Sequence, residues 1–321
     1  MIDPAILEQI AGRLGQAHAA RRLAVENRHE DEVTRSRLHF LHRDNWFGHP
    51  HVIKTALILT GLYWRGRRNS GKVIIRRNVI AFPDLPQAFH GFTILHLSDL
   101  HSDGNDLAMQ RVLQLVDGLR YDICCLTGDY RAGTTGTCEP ALNGMAQLVA
   151  RLTQPIFAVL GNHDSLTMVH GLEKIGIKLL LNESQAVCRG DQLIFLAGID
   201  DAHFFRTGDI ARAASGIPAG QFSVLLSHTP EVFRQAEQAH FNVMLSGHTH
   251  GGQICLPGSI PIILDAELPR GFGAGAWRHG SMHGYTSAGA GTSIVPVRFN
   301  CPPEITLHEL RRESRIEPAA S

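Results

Sequence analysis

The chain has 321 residues, 44% of them hydrophobic, and a formal net charge of zero. This composition excludes a natively disordered chain and predicts one sizeable domain with an appendage. The charge is unevenly distributed, because residues 1–80 hold 14 Lys and Arg against 7 Asp and Glu. Since this basic surplus is confined to the N-terminal part and no recognition motif accompanies it, nucleic-acid binding is not expected as the main role.

Residues 1–71 predict a basic, helical segment. Asp3-Pro4 is a typical helix start, because Asp caps a helix and Pro fits its first turn. Apolar residues then recur at helical spacing as far as Leu41. This pattern predicts one long helix, or two consecutive helices, ending near Asp44.

A second stretch of this segment, from Val52 to Trp64, is apolar and is followed by three arginines within four residues. Its 13 residues include a lysine and are too few to span a bilayer, which needs about 20 apolar residues. An apolar surface with aromatic side chains beside a basic cluster favours a helix that lies at a membrane surface through residues 52–68. Two alternatives remain open. The helix packs on the rest of the protein with its arginines exposed, or it forms a lid over a functional site, with its apolar side chains facing an acyl chain.

The main domain is predicted at residues 72–312, and the polar residues 313–321 are predicted to form a loose tail. The first 25 residues lack the continuous apolar core of a signal peptide. The six cysteines show no zinc-ribbon spacing, which fits a reducing compartment. We therefore expect a cytoplasmic protein, and a peripheral one at the inner membrane face if residues 52–68 contact lipid.

Five short apolar runs in the catalytic region each end in residues of metal-ligand type. Short apolar runs bounded by turn residues predict buried strands, and functional groups of open α/β sheets gather beyond the carboxyl ends of the strands. The residues that end the five runs are, in order, Asp99 and His101; Asp129; Asn162, His163 and Asp164; His228; and His248 and His250. Residues spread over about 150 positions are therefore predicted to converge on one site.

The spacing of these residues suits metal binding. Asp99 and His101 are two residues apart, as are His248 and His250. If the strands stay extended there, the side chains of each pair point to the same face and hold one cation together. Asp129 follows a glycine and brings a carboxylate with two oxygens to a tight turn, where it could bridge two metals. A mixture of imidazole and carboxylate suits Mn, Fe or Zn better than Ca or Mg.

The five blocks resemble the signature blocks of the calcineurin-like metallophosphoesterases, in the same order and over roughly residues 90–310. The blocks are Asp99-x-His101, Gly128-Asp129, Gly161-Asn162-His163-Asp164, His228 and Gly247-His248-x-His250. The resemblance implies an α/β protein with a four-layer α-β-β-α sandwich, here with an N-terminal helical appendage. It also implies two divalent metal ions, with Mn expected first and Fe or Zn as alternatives. Two such ions, about 3.5–4 Å apart, can hold a phosphoryl group and generate a nucleophile from water.

The resemblance further implies a role for each residue. Asp99, His101 and His250 would hold the first metal. Asn162, His228 and His248 would hold the second metal, and Asp129 would bridge both. His163 would not be a ligand, but would protonate the leaving oxygen or stabilise the charge that develops there. Asp164 would orient His163.

Three longer segments resemble a bacterial subgroup of phosphodiesterases, namely residues 128–130, 247–253 and 285–305. That subgroup includes membrane-associated enzymes and a type of UDP-2,3-diacylglucosamine pyrophosphatase used in lipid A synthesis. We therefore expect hydrolysis of a phosphodiester or pyrophosphate in an amphipathic substrate, with UDP-2,3-diacylglucosamine as the leading candidate. A general phosphodiesterase acting on soluble nucleotides is the first alternative. A non-catalytic scaffold on the same fold is a remote second alternative, since every expected ligand is present.

Overall fold

Two six-stranded sheets face each other in the computed structural model, which describes residues 4–36 and 50–313. The first sheet contains, in spatial order, β1 (Ile74–Phe82), β14 (Glu304–Arg312), β2 (Phe92–Leu97), β3 (Ile123–Leu126), β4 (Ile156–Ala158) and β5 (Ile177–Leu179). The second contains β12 (Gly275–His279), β13 (Met282–Thr286), β9 (Val243–Ser246), β8 (Ser223–Leu226), β7 (Gln192–Gly198) and β6 (Glu183–Arg189). A separate hairpin is formed by β10 (Cys255–Leu256) and β11 (Ile260–Pro261).

The strands that carry the predicted site are parallel within each sheet. β2, β3 and β4 run side by side in the first sheet, and β8 and β9 do so in the second. All five strands coincide with the apolar runs of the sequence, so the prediction of these strands is confirmed. Because their carboxyl ends share an edge in each sheet, the loops that follow them are brought together.

Most of the helices cover the outer faces of the two sheets. The helices are α1 (Pro4–Leu14), α2 (Gln16–Ser36), α3 (Pro50–Leu59), α4 (Leu62–Ser70), α5 (Asp106–Val116), α6 (Glu139–Val149), α7 (Val169–Lys174), α8 (Ile210–Ala214) and α9 (Phe233–Gln238). Alternate residues of each strand face opposite sides. Leu226 therefore packs between the sheets, whereas Leu225 packs against α8 and α9. The predicted four-layer α-β-β-α sandwich is confirmed.

The first N-terminal helices pack on the first sheet. Gly15, with a φ of 98°, separates α1 from α2 and provides a backbone conformation that other residues rarely adopt. Ile10 and Leu14 of α1 are buried in the same apolar cluster as α5, α6 and α7. Two consecutive helices are thus present, as one of the predicted alternatives states. Their predicted end near Asp44 lies outside the described residues.

Helices α3 and α4 pack on another part of the catalytic domain. Tyr63 is buried against Val295 and Val297, while Leu59 and Trp64 are 82% and 74% exposed. One side of this helix pair therefore contacts the catalytic domain and the other presents apolar side chains at the surface. Among the described residues, no helix has the length and apolar content needed to cross a bilayer. The tail predicted at residues 313–321 lies outside the described residues from residue 314 onward.

Truncation of an inter-sheet side chain should destabilise the whole domain. Leu196 on β7 has no exposed surface and packs between the sheets. We expect Leu196→Ala to lower the free energy of unfolding by about 2–5 kcal/mol, because it removes buried apolar atoms and leaves a cavity. Urea unfolding followed by circular dichroism measures this change. The control Leu59→Ala, at an exposed position, should stay within about 0.5 kcal/mol of the parent; equal losses in both variants would contradict this prediction.

Candidate active site

The structure brings three of the predicted ligands together beyond the ends of β2 and β9. The imidazole Nε2 atoms of His101 and His250 are 3.2 Å apart, and Nε2 of His250 lies 3.6 Å from Oδ1 of Asp99. All three side chains are buried. Their ligand atoms lie close enough to bind one metal ion.

A second group of predicted ligands lies beside the first. Oδ1 of Asn162 is 2.8 Å from Nε2 of His228 and 3.0 Å from Nδ1 of His248. The two imidazole nitrogens are 3.2 Å apart. The three side chains come from the loops after β4, β8 and β9, so both sheets contribute to this group.

Asp129 connects the two groups. Its Oδ2 lies 3.4 Å from Nε2 of His228 and 3.8 Å from Nε2 of His101. The same oxygen is 3.9 Å from Nε2 of His163. The seven predicted ligands and His163 are therefore in one place, although they come from five different loops.

The chemistry and spacing of these side chains fit bound metal ions. Two ligand atoms that each lie about 2.1 Å from one ion are about 3.0–3.4 Å apart, which matches the separations between the histidine nitrogens. The Nδ1 atom of His101 faces the carbonyl of Arg131, and that of His228 faces the carbonyl of Thr127. Since a carbonyl only accepts hydrogen bonds, each Nδ1 carries a proton, and each Nε2 is the atom that faces the group and would bind a metal ion once it carries no proton.

The two carboxylates set the electrostatics of the site. Burial lowers the pKa of His228, but the carboxylates of Asp129, Asp99 and Asp201 together outweigh burial, and the pKa is raised to about 10. Burial raises the pKa of Asp99 to about 6. Burial lowers the pKa of His248 to about 3 and, with the nearby His163, that of His101 to about 4. Cationic charge is thus favoured close to Asp129 and disfavoured on the more distant imidazoles.

The backbone of the ligand residues is not extended, contrary to the expectation from their spacing. β2 ends at Leu97 and β9 ends at Ser246, before the ligands begin. Five of the seven predicted ligands have a positive φ: Asp99 (50°), His101 (41°), Asp129 (58°), His248 (72°) and His250 (50°). Tight turns, rather than the alternation of a strand, therefore direct these side chains to the site.

Asp164 contacts a different partner from the one predicted. Nδ1 of His163 lies 2.8 Å from the carbonyl of Ala132, so this carbonyl, and not Asp164, orients the imidazole. The carboxylate of Asp164 instead accepts hydrogen bonds of 2.8 Å from the backbone N–H groups of Asp129, Tyr130 and Gly161. The prediction that Asp164 orients the ring is wrong, because the carboxylate is buried beneath the turn that carries Asp129.

Two residues near the site were not predicted from the sequence. Arg131 donates a hydrogen bond to the carbonyl of His163, while its own carbonyl faces His101. Arg298 is buried and donates to the carbonyl of His250 at 3.1 Å. Arg298 lies within the segment 285–305 that resembles the phosphodiesterase subgroup, but nothing in the sequence indicates that either arginine bonds to backbone carbonyls of the site.

Comparison with known proteins agrees with this geometry. The profile of the family described as calcineurin-like phosphoesterase matches residues 92–252. The chain belongs to this family. It is therefore a metal-dependent phosphoesterase, and its family uses the divalent metals for which the two groups of ligands are suited.

Several bacterial proteins are similar to the chain over most of its length. The uncharacterized metallophosphoesterase YkoQ of Bacillus subtilis is 28% identical over 79% of the chain and 96% of its own length. YkuE, an uncharacterized metallophosphoesterase of the same organism, is 31% identical over 71% of the chain and 82% of its own length. The phosphodiesterase YaeI of Escherichia coli is 28% identical over 74% of the chain and 87% of its own length.

The contact between Gly161 and Asp129 provides a test of the site. A Cβ atom on Gly161 would overlap Oδ1 of Asp129 and lie 2.6 Å from its backbone nitrogen. We expect Gly161→Ala to displace Asp129 and to weaken Mn²⁺ binding about 10–100-fold, as loss of a group that orients a ligand does. Calorimetric titration with Mn²⁺ measures the affinity.

Gly118→Ala is the matched control, because no atom lies within 4 Å of the added Cβ. This variant should bind Mn²⁺ like the parent. An unchanged affinity in Gly161→Ala, with the fold intact by circular dichroism, would show that Asp129 does not hold metal.

Proposed function

We propose that the protein is a two-metal hydrolase of phosphodiester or pyrophosphate bonds. The observation that carries this proposal is the pair of ligand groups joined by the carboxylate of Asp129. In this proposal Asp99, His101 and His250 would hold one ion. Asn162, His228 and His248 would hold the other, and Asp129 would be shared between them. Manganese is the ion we propose first, because the imidazole ligands of the site are combined with the carboxylates of Asp99 and Asp129.

The metals would supply Lewis acidity and lower the pKa of water to near neutrality. The residues of the chain hold the ions and position the substrate. Asp129 and Asp99 hold the cationic charge in place, since both carboxylates are buried and close to imidazole nitrogens. Because both groups lie in turns that directly follow paired strands, the reacting phosphoryl group would be positioned between ligands that the two sheets hold in place.

His163 is proposed as the group that protonates the leaving oxygen. Its Nδ1 faces the carbonyl of Ala132 and therefore carries a proton, which leaves Nε2 as the atom that gains or loses one. Nε2 lies 3.9 Å from the carboxylate of Asp129, and the side chain is 16% exposed. His163 is thus more accessible than the neighbouring buried His101, as a group that touches substrate needs to be.

Replacement of His163 tests this role. We expect His163→Ala to lower kcat about 10²–10⁴-fold, the range typical of a lost general acid. The Mn²⁺ content of the purified variant, measured by mass spectrometry, should equal that of the parent, because His163 is not a proposed ligand. Full activity of the variant on the phenyl ester of thymidine 5′-monophosphate, whose departing oxygen needs a proton, would remove His163 from the mechanism, and loss of bound metal would make it a ligand.

An amphipathic substrate is supported by the surface beside the site. The hairpin β10–β11 and its flanks expose Leu256, Ile260, Ile262 and Ile263. This hairpin begins five residues after His250. It is hydrogen-bonded to the segment on which α3 and α4 pack, because the backbone nitrogen of Cys255 donates to the carbonyl of Phe299. We call the exposed apolar residues of α3, α4 and this hairpin the apolar rim.

The apolar rim carries basic side chains at one end. Arg65, Arg67 and Arg68 follow the exposed Trp64 in α4. An apolar surface that adjoins a basic cluster is complementary to an anionic lipid headgroup layer and the acyl region beneath it. We therefore propose that the protein binds peripherally to the inner membrane face through residues 52–68, and that its substrate is UDP-2,3-diacylglucosamine.

Negative charges in the apolar rim should reduce hydrolysis of the lipid substrate but not of soluble substrates. We expect the double variant Leu59→Asp, Trp64→Asp to bind vesicles of anionic phospholipid at least about tenfold more weakly, because two apolar contacts are lost and two negative charges are added. UMP release from UDP-2,3-diacylglucosamine in such vesicles should fall in parallel. Hydrolysis of bis(p-nitrophenyl) phosphate should be unchanged.

Val79→Asp is the control, since Val79 is also an exposed apolar residue but lies on β1. This variant should bind vesicles like the parent. If the parent protein itself releases no UMP when loaded with manganese, the lipid substrate is excluded and the alternative of a phosphodiesterase for soluble nucleotides is favoured. Equal vesicle binding by the double variant and the parent would exclude the apolar rim as a membrane contact.

A further inference from the structure

Helix α2 precedes the catalytic domain in the sequence but inserts a buried arginine next to the site. Arg22 has no exposed surface. Its guanidinium donates to the carbonyl of Asp164 at 2.7 Å and to that of Gly161 at 3.4 Å. These two carbonyls flank Asn162 and His163, so one side chain holds both ends of the loop that carries them.

The same guanidinium is held from the other side. Arg22 forms an ion pair of 2.7 Å with Asp200, which is also fully buried, and lies 3.6 Å from the ring centroid of Phe205. Burial lowers the pKa of Arg22, but Asp200 and Glu26 outweigh burial, so the pKa is raised and the side chain is charged. A buried charge with this many directed contacts fixes the position of its partners, because each partner would be left unpaired if it moved.

Two more residues of α2 contact loops of the site on the same face of the helix. Glu26 accepts hydrogen bonds from the hydroxyl of Ser165 at 2.9 Å and from the backbone nitrogen of Leu166 at 3.0 Å. His29 lies 2.9 Å from the hydroxyl of Thr134, in the loop whose Ala132 carbonyl orients His163. Positions 22, 26 and 29 fall on one helical face.

We propose that α2 is part of the catalytic apparatus, and that Arg22 and Glu26 are positioning residues for Asn162 and His163. This inference rests on the roles proposed above for those two residues. It predicts that the N-terminal segment acts on catalysis by a route that is separate from any membrane contact of α3 and α4. Arg22 does not touch substrate; it acts through the backbone on either side of the two residues.

A leaving-group comparison separates positioning from simple stabilisation. The probes are the p-nitrophenyl and phenyl esters of thymidine 5′-monophosphate, which differ in how much the departing oxygen needs a proton. We expect Arg22→Ala to lower kcat for the phenyl ester at least about tenfold more than kcat for the p-nitrophenyl ester, as a misplaced general acid does. Arg22→Lys should not restore the parent ratio, because an ammonium lacks the forked geometry of the guanidinium.

Arg13 provides the matched control. It also joins the N-terminal helices to the catalytic domain, through ion pairs with Glu173 and Glu183, but does not contact the loop that carries His163. Arg13→Ala should lower the thermal unfolding temperature and leave the ratio of the two kcat values within about twofold of the parent. A ratio that changes equally in Arg13→Ala and Arg22→Ala would overturn the proposal.

The outcomes distinguish this inference from the proposed function. If His163→Ala alters the ratio and Arg22→Ala does not, the role of His163 stands and that of Arg22 fails. If His163→Ala leaves the ratio unchanged, His163 is not the acid, and the role of Arg22 is tested by the Mn²⁺ affinity of Arg22→Ala, measured by calorimetric titration. This affinity should drop about tenfold, because Asn162 is displaced. An unchanged affinity would then overturn the proposal. Should Arg22→Ala not fold, Glu26→Ala removes the neighbouring contacts to Ser165 and Leu166, and the same measurements apply.

Discussion

Oδ2 of Asp129 lies within 4 Å of imidazole nitrogens from His101, His163 and His228. The negative charge of Asp129 thus attracts the three imidazoles. Without it, these rings would face one another in a buried space with repelling lone pairs or with like positive charges. Its position depends on the backbone around it, because its own amide is bonded to Asp164 and Gly161 leaves room for its oxygen. The two ligand groups can face each other only while this turn is intact.

The turns that carry the ligands hold the backbone in a conformation of higher energy, since five ligand residues have a positive φ. A non-glycine residue in the left-handed region costs about 1–3 kcal/mol, although Asp and His tolerate it better than branched residues do. Hydrogen bonds between neighbouring loops offset this cost. The backbone N–H of Asp99 donates to the carbonyl of Gly128, and the backbone N–H of His101 donates to the carbonyl of Asp129, each at 3.0 Å. The loops after β2 and β3 therefore stabilise each other, and the site is assembled by cooperation between strands rather than by any one of them.

The sequence is informative where function leaves a local pattern. The apolar runs predict the five strands because burial on both faces demands them, and the ligands directly follow these runs. The contacts of Arg22, Arg298 and Asp164 are different, since each side chain bonds to backbone groups that are distant in sequence and have no residue signature. The left-handed turns could not be predicted for a related reason. The two-residue spacing of the ligands is compatible with an extended strand, and only hydrogen bonds between loops favour the turns instead.

The position of β14 has a consequence for how the enzyme is made. This strand lies between β1 and β2, yet it follows β2 by more than 200 residues. While the chain is being synthesised, the first sheet is therefore split, with β1 unpaired and one edge of β2 open to other strands. The nascent chain cannot complete the sheet that supports Asp99 until residue 312 has left the ribosome. The support for Asp99 is consequently complete only once β14 has paired, and until then the open edge of β2 is available to strands of other chains.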